Sequence, residues 1–128
     1  MDASALLLGF IPAEQRDSRT PDRLTGTLWH APHLIDAECG HVMRRAARRG
    51  VLTATQGQVA LDSAAGLIDG RFAHDRPLRD GAWSLRVQLS FCHALFVALA
   101  ARPDLPLVTC DRRLASVPGL PCRVELVG

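Results

Sequence analysis

The sequence contains no lysine: all fifteen basic residues are arginine, and thirteen acids reduce the formal charge to +2. So small an excess rules out a general attraction to nucleic acid and leaves phosphate binding to local clusters. Two clusters exist, Arg44, Arg45, Arg48 and Arg49 in one and Arg112 with Arg113 in the other. A solvated helix C-terminus, where cations are favoured, is the competing explanation for the first. No C-x-x-C pair occurs among Cys39, Cys92, Cys110 and Cys122, and all four stand in apolar contexts. A zinc ribbon and a disulfide framework are thereby unsupported, which suits reduced thiols in a reducing compartment. No apolar run is long enough to span a bilayer, and the N-terminus lacks a basic segment followed by a long apolar stretch. The expected location is the cytoplasm, with no membrane partner. A Walker loop, G-x-G-x-x-G and G-x-S-x-G are also missing, so nucleotide-binding enzymes and nucleophile-elbow hydrolases lose their support.

What remains is 128 residues, 48% hydrophobic and 22% charged, the composition of one globular domain over 1–128. A chain of this size hides roughly two thirds of its unfolded surface, enough for a core without metal or disulfide. Met1 to Ser4 read as a strand stub, and Ala5 to Leu8 as the start of a helix ended by Gly9 and Pro12. The polar stretch Gln15 to Thr27 offers Thr20 and Pro21 as N-cap and first residue of a short helix. Leu28 to Ala31 is a strand candidate stopped by Pro32.

From His33 to Arg49 the spacing of Leu34, Ile35, Glu38, Val42 and Ala46 predicts a helix that Gly50 ends. Further helices are expected over Thr55 to Ile68, Leu78 to Leu89 and Phe91 to Ala101, the last apolar enough to be buried on several sides. Strands are expected at Arg71 to Asp75, Leu107 to Thr109 and Cys122 to Val127, with a helical turn over Asp111 to Leu114. Helices alternating with short apolar strands predict an α/β fold whose mainly parallel sheet is covered on both faces.

In such folds the ligand crevice lies beyond the C-terminal ends of the strands. Asp2 and Asp111 follow strand candidates and fall at that rim, although both could be simple helix caps. Glu38 stands in the apolar stripe of its helix, a costly place for an unpartnered charge. Asp36 falls toward the other face and reads as a solvated first-turn residue. Three converging carboxylates would normally hold a divalent cation such as magnesium or manganese, the setting for metal-dependent nuclease chemistry. His93 reads locally as a core histidine, yet imidazole also binds metal.

Four segments carry a resemblance: D-A-S-A-L-L-L-G at the start, A-P-H-L-I-D-A-E, L-S-F-C-H-A-L-F-V-A-L-A, and P-L-V-T-C-D-R-R-L-A near the end. In order, and across nearly the whole chain, they resemble PIN-domain proteins, and more narrowly the VapC-type toxins of type II toxin/antitoxin pairs. The resemblance implies a three-layer α/β/α fold with a central mainly parallel sheet. The implied activity is metal-dependent endoribonuclease cleavage with Mg2+ or Mn2+. By position it assigns Asp2, Glu38 and Asp111 to the catalytic and metal-binding acids. Ser4 and Thr109 match supporting hydroxyls, and Arg112 and Arg113 are weaker RNA-binding candidates.

Two departures stand out. Family members usually read D-A-L-Y-V-A-L-A where this chain has His93 to Ala100, so His93 replaces the expected third acid. The loss of one charge near a cation, at about 4 Å, is worth roughly 4 kcal/mol at an effective dielectric of 20 before compensation. Imidazole is better accepted by manganese or zinc than by magnesium, which predicts a weakened or manganese-selective enzyme. The alternative is a catalytically impaired module that binds RNA or sequesters an antitoxin. The second departure is that only Met1 precedes Asp2, so the central strand is expected to start upstream or to be nearly absent. The implied partners are an RNA substrate, a cognate VapB-type antitoxin and a second copy of the chain. Apolar residues over Leu61 to Ile68 and Leu85 to Leu89 are the candidates for the dimer surface.

Overall fold

The structure, a computed structural model, describes residues 1–7 and 26–128. Met1 and Asp2 lead into a short helix, α1 (Ala3–Leu7). It starts two residues before the expected Ala5 because Asp2 caps it, its Oδ1 accepting from the Ala5 N–H at 3.1 Å. The stop expected at Gly9 and Pro12 lies outside the described residues, as does the Thr20–Pro21 helix start.

Strand β1 (His30–Pro32) is followed by α2 (Leu34–Arg48), which buries Ile35, Cys39 and Met43 along one line. Gly50 ends the turn after α2 with φ 72°, a left-handed conformation that costs glycine nothing. β1 includes Pro32, which was expected to stop it. Pro32 is the last rung, and the ladder is taken up again by His33, whose N–H donates to the Phe72 carbonyl at 2.9 Å.

Helix α3 (Ala54–Leu67) begins one residue before the expected Thr55, because Thr53 and Gln56 bond each other's backbone N–H in a capping box. Strand β2 (Gly70–Phe72) lies earlier than the expected Arg71 to Asp75. Asp75 is used instead as the N-cap of α4 (Arg76–Ser84), accepting from the Leu78 N–H at 2.9 Å, with Pro77 inside the first turn. Gly70 is needed where β1 approaches: a Cβ there would fall 2.3 Å from Nδ1 of His30. The helix expected to reach Leu89 stops at Ser84, where the N–H groups of Leu85, Arg86 and Gln88 turn to carbonyls three residues back.

Helix α5 (Phe91–Ala101) has the expected bounds, with Ser90 as its cap and Ala94 through Leu99 all buried. Strand β3 (Leu107–Thr109) also has its expected bounds. Asp111 caps α6 (Arg112–Ala115), and the chain closes on β4 (Val124–Leu126), shorter than the expected Cys122 to Val127.

The strands form two parallel pairs, β1 with β2 and β3 with β4. Met1 and Asp2 join them: the Met1 nitrogen donates to the His30 carbonyl and the Asp2 N–H to the Val108 carbonyl, both at 3.1 Å. These two bonds bridge the two parallel pairs. On the strand-entry side this seam opens into a cavity of about 610 Å³ lined by Met1, Trp29, His30, Phe96, Leu99 and Val108 among others. Helices α1 and α2 pack together against the strands and α3 packs on α2, while α5 seats on β1 and β3 and carries α4. This is the mixed α/β architecture that the alternating pattern predicts. Of the residues considered for a dimer surface, Ile68 and Leu85 belong to the core, whereas Leu67 and Val87 are exposed. All four cysteines are free thiols.

Candidate functional site at the strand ends

Where Met1–Asp2 and β3 finish side by side, their last residues meet. Asp2 is a buried carboxylate, 4% exposed, and burial of such a group demands hydrogen-bond donors. Three are supplied. The Ser4 hydroxyl donates to Oδ1 at 2.6 Å, the Ala5 N–H to the same oxygen, and the Thr109 hydroxyl to Oδ2. Thr109 is fully buried, and its Oγ1 also accepts the N–H of Asp111 at 2.9 Å. The Ser4 oxygen in turn accepts the Cys110 N–H at 2.8 Å. One network of hydroxyls therefore ties the first acid to the backbone that presents the last.

Asp111 has a second duty. Its Oδ1 accepts from the N–H groups of Arg113 and Leu114, so the carboxylate is fixed as a helix cap while Oδ2 faces away toward His93. Nε2 of His93 lies 3.7 Å from that oxygen, with the imidazole 40% exposed. His93 is therefore not the core histidine that its apolar helix suggests: it stands in the first turn of α5, before the buried stretch begins. Glu38 is half-buried on α2, and burial pushes its carboxyl pKa up, with the charge of Asp2 adding and His93 opposing. Glu38 is thus within electrostatic reach of both.

Asp2 and Asp111 are linked through Thr109, His93 faces Asp111, and Glu38 feels Asp2 and His93. Among the described residues, however, no three His, Cys, Asp or Glu side chains close on one point as a metal cage. Arg112 and Arg113 are exposed immediately after Asp111. Asp36 does not join the group. It is held by Arg71 through two hydrogen bonds of 2.8 and 2.9 Å, which pulls its pKa down. The sequence reading missed Arg71 as that partner, which becomes visible only when β2 is placed beside β1. It also missed Cys110, whose thiol pKa burial raises to about 11 beside Asp2, so that a thiolate has no part at neutral pH.

No protein-family model matches the chain. Several curated proteins do. Ribonuclease VapC1 of Mycobacterium tuberculosis is 46% identical over 104 residues, covering 81% of this chain and 78% of that protein. Ribonuclease VapC3 of the same species is 36% identical over 115 residues, covering 90% and 83%. Ribonuclease VapC9, again from M. tuberculosis, is 32% identical over 127 residues, covering 99% and 96%. Identity of this extent, spread over 78% to 96% of the length of proteins with one shared name, places the chain in the VapC ribonuclease family.

Proposed function

We propose that this chain is a VapC-type toxin, a divalent-cation-dependent endoribonuclease whose chemistry resides at the Asp2, Glu38 and Asp111 rim. The single observation that carries the reading is the hydroxyl network of Ser4 and Thr109, which holds Asp2 buried and sets Asp111 beside it in a chain whose relatives are named ribonucleases. The donor set suits a cation in kind. Glu38 is burdened both by burial and by the charge of Asp2, and a bound cation would relieve the second. Asp2, Glu38 and Asp111 would hold Mg2+ or Mn2+, with His93 as a nitrogen donor in place of a carboxylate. When bound, such an ion activates water and offsets the charge developing on the phosphodiester.

The remaining work falls to the chain itself. Ser4 and Thr109 keep Asp2 from turning into the core, the cap on α6 keeps Asp111 from rotating, and Arg112 and Arg113 offer cations to the phosphates flanking the scissile one. The partners in this reading are RNA, a VapB-type antitoxin that covers the acids, and a second copy joined through exposed apolar residues such as Leu67 and Val87. The cytoplasm is the setting we assign. Among the described residues no helix is long and apolar enough to cross a membrane.

Cleavage of total RNA with Mg2+ or Mn2+, read by end mapping, tests the activity. Activity in the wild type that disappears in Glu38→Ala and Asp111→Ala is the expected result, and equal activity in all three preparations would remove the enzyme assignment. His93 favours the second reading, an impaired module that binds RNA without efficient cleavage. His93→Asp discriminates: it is expected to tighten Mg2+ binding by about tenfold or more and to raise Mg2+-supported cleavage. No change in either would make the substitution irrelevant.

A further inference from the structure

The densest run of like charge among the described residues lies outside the acid rim. Within six residues α2 and its cap carry Arg44, Arg45, Arg48 and Arg49, all exposed. Arg44 with Arg48 and Arg45 with Arg49 are like charges four apart on a helix, an arrangement that destabilises it. Other arginines are neutralised: Arg71, Arg76, Arg102 and Arg123 each pair with an aspartate or glutamate. Among the described residues no carboxylate pairs with any of the four on α2. A helix C-terminus welcomes one or two cations, but it does not explain four.

Their direction is informative. At 100° per residue, Arg45 and Arg49 fall within about 20° of the bearing of Glu38, and Arg48 about 80° to one side of it. The buried line of Ile35, Cys39 and Met43 lies about 60° to 140° to the other side. Arg45 and Arg49 therefore continue the line of Glu38 along the helix, about 10 and 16 Å farther on at 1.5 Å per residue. We propose that Arg45 and Arg49, flanked by Arg48, form a phosphate track on α2 that grips single-stranded RNA a few nucleotides from the acids and sets the register in which it crosses them. This rests on the ribonuclease reading. It assigns RNA affinity to a helix face distinct from Arg112 and Arg113, and explains how a chain of net charge +2 takes hold of a polyanion.

The test is binding of a labelled single-stranded 20-mer RNA by fluorescence anisotropy across a salt series in EDTA, so that cleavage plays no part. The wild type is compared with Arg45→Gln/Arg49→Gln and with a control, Arg76→Gln/Arg123→Gln, that removes the same charge elsewhere. Loss of two phosphate contacts is expected to lower the slope of log affinity against log salt by about 1.4, with affinity at low salt falling tenfold or more. The control is expected to keep the wild-type slope, and matching circular dichroism melts confirm that the folds are intact. An unchanged slope in Arg45→Gln/Arg49→Gln overturns the track. If that variant keeps its RNA slope but loses binding to polyglutamate, the ridge serves an acidic protein instead, and the proposal fails. Absence of cation-dependent cleavage by the wild type would defeat the ribonuclease reading separately, because the binding series does not depend on it.

Discussion

Thr109 is the residue on which the geometry of the rim turns. Its one hydroxyl donates to Asp2 and accepts from Asp111, with no solvent to replace either bond. Thr109→Val keeps the shape and removes both bonds, so it is expected to destabilise the protein by about 1–3 kcal/mol, measured by urea unfolding. Glu38 acts in the opposite sense. Because its folded-state pKa is raised, the folded protein holds that proton more tightly than the unfolded chain does, and stability falls as pH rises through the glutamate range. Glu38→Gln is therefore expected to melt higher than the wild type at pH 7 without added metal. The gap should close below about pH 4, where the wild-type carboxyl is protonated in both states. A lower melting point for the variant at pH 7 would contradict this. At this scale the sequence was informative about residue types and poor about duties. Asp2 and Asp111 looked like either caps or site residues; both are caps, and both stand at the strand-end rim. His93 looked buried because its helix is apolar, and only its position in the first turn frees it.

Elements were legible in proportion to their length. α2 and α5 are long enough for their apolar residues and caps to agree, and their bounds fall within a residue of the sequence expectation. The strands are three residues each, too short for an alternating pattern to declare itself, so β1, β2 and β4 were displaced or overextended. β3 escaped because Pro106 and the cap at Asp111 bracket it. The helix starts that were misread share a cause: a polar side chain just outside the apolar run takes the first free N–H groups. Thr53 is the clearest case, and Thr53→Ala is expected to cost about 1 kcal/mol while leaving the rim unaffected. A melting curve and the cleavage assay together check both halves of that statement.

At the scale of the whole molecule, the sheet is two parallel pairs held by Met1 and Asp2, and the same two residues deliver the first acid to the rim. Architecture and site are therefore not separable: a change that loosens the seam between β1 and β3 moves Asp2 as well. The grouping of Asp2, Glu38 and Asp111 expected from the sequence spans gaps of 36 and 73 residues; the structure links Asp2 to Asp111 through Thr109 and leaves Glu38 within electrostatic reach of Asp2. The central claim is that these three acids serve one cation. Isothermal calorimetry of Mn2+ binding to the wild type, Glu38→Gln and Asp111→Asn tests it most directly. The account predicts one site in the wild type and at least about tenfold weaker binding in each variant; equal affinity in all three, or no binding in the wild type, would contradict it.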